Sequence, residues 1–390
     1  MSGTPVRVAL VGTRGFGAVH LRGLERFTAA GRARLVGVVD LAEPPAELAA
    51  LHHRTLADLL AALGEADRPE VVIIATPIDT HVPLTLEALG AGCHVYLEKP
   101  PVPALEELPL LQQAADAAGR SVQVGFQARG GAGIDALAEL VATGELGEVD
   151  IVQVYGAWSR DRAYYRRSRW AGRRRLDGRR VADGVATNPL AHSVHAGLVI
   201  AGIDRLEDIA SVTTELRRAH DIEADDTAFV RIDPAGPDPG PVVVCALTTT
   251  APEQGPPWIE ISGPAGAARL FYTEDRVRRT APDGTVTEQQ HTRTDLVENL
   301  LAHVRDAEVP LLCPLPATAP FSAVLEAIQS APDPSPVDPA HVTWHGEGET
   351  AHPVIDGIED ALRTALANGE PFSRNGVTWA REDAIATWHP

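Results

Sequence analysis

Residues Val8 to His20 read VALVGTRGFGAVH. An apolar run, a glycine-rich turn and the opening of a helical pattern follow one another. That is the strand–turn–helix setting in which glycines cradle a dinucleotide pyrophosphate. Gly12 permits the tight turn and Gly17 lets the helix pack closely on the sheet. The middle glycine of G-x-G-x-x-G should stand at position 14, which is Arg14, and Gly15 comes one place late. The backbone then approaches the pyrophosphate less closely, or the Arg14 side chain swings clear or contacts a phosphate. The N–H groups of the helix start still favour an anion. Candidate contacts are Gly12, Thr13, Arg14, Gly15, Phe16 and Gly17. A purely structural turn is the alternative.

Asp40 ends the second apolar run, 23 residues after Gly17. A carboxylate there accepts hydrogen bonds from the adenosine ribose and repels a 2′-phosphate. The following LAEPP offers no arginine for that phosphate. The cofactor expected is therefore NAD, with NADP the less favoured choice. Capping of the next turn is the plainer role for Asp40.

Outward from this motif, strands and helices alternate. Strands are predicted at Val6–Val11, Arg34–Asp40, Val71–Ala75, His94–Leu97 and Ser121–Phe126. Helices are predicted from Gly17 to about Ala30, and at Thr55–Leu63, Val82–Ala91 and Leu105–Ala118. The rhythm is that of a doubly wound parallel sheet. Beyond it come a helix at Gly131–Ala142 and strands at Val149–Trp158, Leu206–Leu216, Thr227–Ile232, Val242–Thr249, Trp258–Gly263 and Ala267–Tyr272. Few helices separate these strands, so an open, mostly antiparallel sheet is expected. Helices return at Thr294–Val304, Pro320–Gln329 and Ile355–Ala367. Asp233–Pro241 and Pro332–Pro339 read as loops. The fold class is α/β: a Rossmann domain over 1–126, then an α+β domain for substrate and oligomer contacts over 127–390.

The 390 residues carry 53 acidic and 34 basic side chains, a net charge of −19, which argues against nucleic-acid binding. No apolar run is long enough to span a bilayer. The opening MSGTPVRVALVG enters a strand pattern without a leader-like segment. Cys93, Cys245 and Cys313 are widely spaced and suggest neither disulfides nor a metal cluster. No metal and a cytoplasmic location are expected. Motifs of zinc proteases and serine hydrolases are absent.

Four pieces in order, VGTRGFGAVH, ATPIDTH at Ala75–His81, AGCHVYLEKP at Ala91–Pro100 and NPLAH at Asn188–His192, resemble the glucose–fructose oxidoreductase / inositol dehydrogenase (Gfo/Idh/MocA) family. The resemblance implies hydride transfer between a nicotinamide and a secondary alcohol of a sugar, sugar derivative or cyclitol. It implies cofactor contacts at Ala75, Thr76, Pro77, His81, Glu98, Lys99 and Gln127, and a homodimer or homotetramer. Lys99 follows a buried strand at the rim where ligands bind. Its ammonium can hold the substrate oxygen as alkoxide charge develops. The bond before Pro100 is a candidate for the cis form. His192 is the second proton-handling candidate. The family commonly has Asp four residues before this His, one helical turn away. Here Asn188 stands there, able to orient a hydroxyl but not to take a proton. His195 is a further candidate for the cleft.

Between Trp158 and Arg180 ten residues are arginines. The segment matches a substrate-side loop in the resembling family. Tyr164, Tyr165 and Trp170 are candidate substrate contacts, and the arginines suit an anionic group on the polyhydroxylated substrate. Pairing with the protein's own acidic surface, or with another subunit, is the equal alternative. Two other functions use the same residues: glycoside processing with tightly bound, internally recycled NAD, and non-catalytic NAD binding.

Overall fold

A computed structural model describes residues 4–237 and 239–390. The first residues of the opening segment and residue 238 of the loop expected at Asp233–Pro241 lie outside the described residues. The chain divides into two compact units, one running to Gly130 and including Thr294–Thr318, the other Gly131–Arg293 with Ala319–Pro390.

In the first unit, β1 (Val6–Val11), β2 (Ala33–Val39), β3 (His52–His53), β4 (Val71–Ile74), β5 (His94–Leu97) and β6 (Val122–Val124) form one parallel sheet in the order β3-β2-β1-β4-β5-β6. All four residues of β4 are buried, as expected of a strand covered on both faces. The connecting helices are α1 (Phe16–Ala29), α2 (Leu56–Ala62), α3 (His81–Gly90) and α4 (Leu108–Ala118). The α2 start is set by Thr55, whose hydroxyl accepts from the Asp58 amide at 3.1 Å. Strand order reverses between β1 and β4, which puts the ligand crevice of this architecture beside the β1 and β4 C-terminal ends.

The helix Leu296–Arg305 belongs to this unit, whereas the sequence rhythm assigned it to the second domain. A fully buried glutamine explains the difference. Gln123 on β6 donates to the Leu296 carbonyl at 3.1 Å and to Asn299 Oδ1 at 2.6 Å, and accepts from the Cys313 amide at 3.0 Å. A buried amide must be satisfied, and here only the distant segment does it.

The second unit is built on ten strands: β7 (Ile151–Ala157), β8 (Ile209–Arg218), β9 (Thr227–Pro234), β10 (Val242–Thr248), β11 (Trp258–Gly263), β12 (Gly266–Phe271), β13 (Arg276–Thr280), β14 (Val286–Gln290), β15 (Ser335–Pro336) and β16 (Ile385–Trp388). Their order is β14-β13-β12-β11-β7-β10-β9-β8-β15, with β16 also pairing β8. Pairing is antiparallel except for β7 with β10 and the short β8–β15 contact. The longer helices of this unit are α5 (Ala132–Thr143), α6 (Ala191–Ile200), α7 (Ala319–Ser330) and α8 (Ile358–Asn368), and a short helix spans Arg162–Arg166. Residues of α8 pack with Tyr155, Phe229, Val244, Phe372 and Trp379 in one buried cluster. The sequence pattern did not predict α6, β3, β13, β14, β15 or β16, and β15 falls within Pro332–Pro339, expected as a loop. The α6 residues Ala191–Ile200 are nearly all buried, so no polar stripe reveals the helical period. All five residues of β14 are exposed, and all but Val286 are polar, which removes the alternation that marks a strand.

Candidate active site

The glycine turn is built as its spacing requires. Gly12 has φ +86°, and a Cβ there would stand 2.5 Å from the Ala75 carbonyl oxygen. A Cβ on Gly17 would stand 2.0 Å from the Gly12 oxygen, so the α1 backbone lies directly on the turn. A side chain at either position would collide with neighbouring backbone and break this close approach of turn, helix and β4. Gly15 caps α1, and Arg14, Gly15 and Phe16 are exposed. Arg14 therefore departs from glycine where the chain has room for a side chain.

Asp40 has a more definite local role than its position alone suggests. Its Oδ2 accepts from the Thr13 amide at 2.9 Å and the Thr13 hydroxyl at 2.6 Å, while Oδ1 accepts from Ala42 N at 3.0 Å. Burial works to raise its pKa. The Thr13 and Ala42 hydrogen bonds and the Arg14 charge outweigh it and hold the carboxyl below its ordinary value of 3.8. The carboxylate pins the glycine turn to the end of β2 and also caps the next turn. Its one remaining lone pair, on Oδ1, can still accept from a ribose hydroxyl.

Ala75, Thr76 and Pro77 follow β4 at the switch point. The Thr76 and Thr80 hydroxyls are 2.6 Å apart, and Thr80 donates to the Pro77 carbonyl at 2.7 Å. His81 is 1% exposed. Its Nδ1 is 2.8 Å from the Pro100 carbonyl and its Nε2 2.9 Å from that of Thr76. Burial pushes its pKa below the ordinary 6.5. The ring faces backbone oxygens, so His81 braces the two ligand-side turns from below rather than reaching towards a cofactor.

Lys99 directly follows β5 and is half-buried, and the Lys99–Pro100 peptide is cis. Glu98 points away from solvent, with 5% exposure. Its Oε1 is 2.8 Å from His20 Nε2 and accepts from Gln127 Nε2 at 3.1 Å, while Oε2 accepts from the Lys99 amide at 3.3 Å. Gln127 also reaches the Tyr96 hydroxyl at 3.3 Å. Glu98 and Gln127, expected at the cofactor, thus form a buried brace under Lys99. His20 belongs to that brace. Its signal was visible, three residues beyond Gly17 on α1, but only the fold brings it to Glu98.

In the second unit Asn188 lies in the turn before α6 and His192 in its first turn. Both are half-buried, whereas His195 is 2% exposed. The acid that the sequence lacks at position 188 stands nearby at Asp183, 3% exposed and overlooked in the sequence. Asn188 Nδ2 donates to Asp183 Oδ1 in a short hydrogen bond. Asp183 also takes Arg167 Nη2 at 3.2 Å and the Gly172 amide at 2.7 Å. Arg167 in turn stacks over Tyr164, 3.8 Å from the ring centre, and over Trp170 at 4.7 Å. Asp183 therefore joins the arginine-rich loop to Asn188. The Tyr165 hydroxyl is 2.9 Å from that of Thr249.

Much of the arginine run serves its own unit. Arg174 donates to the carbonyls of Ile328, Gln329 and Ala331 at 2.9 Å, closing the C-terminus of α7. Arg180 pairs with Glu326 at 2.5 Å and Arg173 with Glu223 at 3.3 Å. Among the described residues no three His, Cys, Asp or Glu side chains group to hold a metal ion. Among them too, no helix is long and apolar enough to cross a membrane. Cys93, Cys245 and Cys313 are all buried.

Comparison with known proteins agrees with this geometry. Residues 6–126 match the model of the oxidoreductase family with an NAD-binding Rossmann fold, GFO_IDH_MocA. Inositol 2-dehydrogenase 3 of Saccharopolyspora erythraea is 35% identical over 145 residues, covering 36% of this chain and 42% of that protein. Inositol 2-dehydrogenase of Rubrobacter xylanophilus is 37% identical over 146 residues, 36% and 41% of the two chains. The chain thus matches about two fifths of these curated relatives' length. Among solved structures, the WlbA dehydrogenase of Bordetella pertussis in complex with NADH and UDP-GlcNAcA superposes with TM-score 0.66 at 24% identity, over 83% of this chain and 95% of that one. The inositol dehydrogenase homolog of Azotobacter vinelandii with NADH and myo-inositol gives TM-score 0.64 at 19% identity, over 83% and 94%. These likenesses establish the fold.

Proposed function

We propose that the chain is an NAD-dependent oxidoreductase that moves a hydride between the nicotinamide and a secondary alcohol of a sugar, sugar derivative or cyclitol. The carrying observation is the arrangement in the first unit: the Gly12 turn tied to Asp40, and Lys99 following β5 on its buried Glu98–His20 brace. The curated inositol dehydrogenases and the NADH-bound structures of the same fold support it.

NAD, when bound, supplies the hydride acceptor. Gly12 and Gly17 leave room for the pyrophosphate, and Asp40 accepts from the ribose in preference to a 2′-phosphate. Lys99 Nζ holds the substrate hydroxyl oxygen and stabilises the negative charge that grows on it as hydride leaves the carbon. His192 takes the hydroxyl proton in oxidation and returns it in reduction. Asn188, fixed through its Nδ2 by Asp183, offers its side-chain carbonyl to orient a neighbouring hydroxyl, and Asp183 links it through Arg167 to Tyr164 and Trp170. The protein works as a homodimer or homotetramer, which sizing in solution tests.

The test is calorimetry of the purified chain with NAD and NADP, followed by NADH formation on a panel of cyclitols, sugars and nucleotide sugars. Tighter binding of NAD and turnover of at least one polyol are expected. An intact fold that binds neither dinucleotide would sink the reading.

A further inference from the structure

A second concave site lies wholly inside the second unit, with walls from the loop 162–175, the turn 218–223, the end of α7 and Trp344. It holds about 1090 Å³, slightly above the range usual for small-molecule clefts, and is open on one side. Seven of its lining residues are arginines and three are carboxylates, Asp221, Glu223 and Asp333. In a chain of net charge −19 this local excess of positive charge runs against the composition. A concave wall of one sign concentrates ligands of the other.

Several of these arginines are already committed. Arg174 caps α7, Arg173 is held by Glu223 and Arg169 by Asp177. Arg162, Arg175 and Arg218 have no carboxylate partner among the described residues. Arg162 lies over the Trp344 ring at 4.5 Å, and Arg218 Nε donates to the Pro334 carbonyl at 3.2 Å, which leaves its terminal nitrogens to the cavity. The Ser168 hydroxyl, also on the wall, is buried with no hydrogen-bond partner. A buried hydroxyl left unsatisfied is costly and marks a place where a ligand oxygen can bind.

The walls are firmly built. Gly172 O accepts from both the Glu223 and Ala224 amides at 2.9 Å. His220 has Nδ1 3.0 Å from Asp226 Oδ2 and Nε2 3.1 Å from the Arg160 carbonyl, and its ring meets Tyr165 at 4.6 Å and Trp344 at 5.8 Å. Trp344 is 41% exposed and presents an aromatic face beside the guanidinium groups. Planar forks next to a hydroxyl suit phosphoryl oxygens, and several of them suit two adjacent phosphoryl groups better than a single carboxylate.

We infer that this cavity binds a diphosphate group, with Arg162, Arg175, Arg218 and Ser168 as its contacts and Trp344 as the platform for whatever ring the diphosphate carries. The site stands independently of the redox chemistry. The diphosphate comes either from a free phosphorylated metabolite or from a nucleoside diphosphate.

The test is calorimetric titration of the full chain, saturated with NADH, by inorganic pyrophosphate and separately by UDP. NADH saturation keeps the added diphosphate out of the first unit. Both ligands should bind, and the Arg175→Gln/Arg218→Gln variant should weaken both by roughly tenfold or more, with NADH affinity unchanged. Trp344→Leu should weaken UDP alone if a nucleoside is the ring carried. Equal loss or no loss for both ligands in Trp344→Leu, with the arginine effect intact, assigns the site to a free diphosphate. Absence of binding by either ligand, or binding that the arginine variant leaves unchanged, overturns the inference. Circular dichroism of the variants excludes unfolding as the cause, since Arg175 is exposed and Arg218 lies at a strand end.

Discussion

His20 Nε2 lies 2.8 Å from Glu98 Oε1, with both side chains 7% exposed. Through this contact the first helix after the glycine turn supports the residue next to Lys99. Removing one partner of a buried hydrogen bond leaves the other short of it, at a cost of about 1–3 kcal/mol. His20→Ala should therefore lower the stability of the chain in urea by that order. It should also lower kcat more than it raises KM for NAD, because Lys99 loses its support while the pyrophosphate turn stays. His20→Gln, which can donate to Glu98, should recover part of both losses. Equal kcat in wild type and His20→Ala would show that the brace does not position Lys99.

Asp40→Ala should weaken NAD binding and relax discrimination against NADP, since it removes both the proposed ribose acceptor and the clamp on Thr13. The pH dependence has a definite sign. The folded carboxyl titrates below its ordinary 3.8, so its stabilisation is complete above about pH 3.8 and is lost as the pH falls through the depressed value. Asp40→Asn should flatten that acid limb in urea unfolding followed from pH 5 downward. Unchanged affinity for both dinucleotides in Asp40→Ala would remove the residue from the site.

Asp225 titrates the other way. Burial pushes its pKa from 3.8 up to about 6, despite the hydrogen bond from the Val185 amide to its Oδ2 at 2.9 Å. Its cost is absent below pH 3.8 and grows as the pH rises to about 6, reaching about 3 kcal/mol. Asp225→Asn keeps an acceptor for Val185 and should stabilise the chain at pH 7 but not at pH 4. A stability difference independent of pH would contradict the assignment.

Gly17→Ala should abolish dinucleotide binding and destabilise the first unit, because the added Cβ would stand 2.0 Å from the Gly12 oxygen. Fluorescence titration with NADH and thermal unfolding both read this. Gly15→Ala, with nothing within 4 Å of the added atom, should retain more affinity despite its positive φ of +57°.

What the sequence disclosed follows from physical range. The period-two and all-apolar runs of the first unit are local signals, and β1, β2, β4 and β5 lie within a residue of their expected bounds. The roles of Gly12 and Gly17 were legible because a glycine is demanded by its immediate neighbours in chain and turn. The cluster around Glu98 was not, since His20, Tyr96 and Gln127 meet it only after the sheet is assembled. Asp183 escaped notice for a similar reason. The resemblance drew attention to position 188, whereas the carboxylate reaches Asn188 from five residues upstream through a tight turn. The arginine run was visible as charge, but two of its main commitments, Arg174 on the end of α7 and Arg180 on Glu326, are to partners more than a hundred residues away.

The most direct test of the proposed chemistry is the steady-state rate of Lys99→Met on a substrate that the wild-type chain oxidises, measured beside its NAD affinity. In the proposed chemistry Lys99 supplies the positive charge at the alkoxide, while Gly12, Gly17 and Asp40 hold the far half of the cofactor. The account predicts a fall in kcat of about 100-fold to 10,000-fold, with NAD affinity nearly unchanged. Near-normal turnover by Lys99→Met would contradict it.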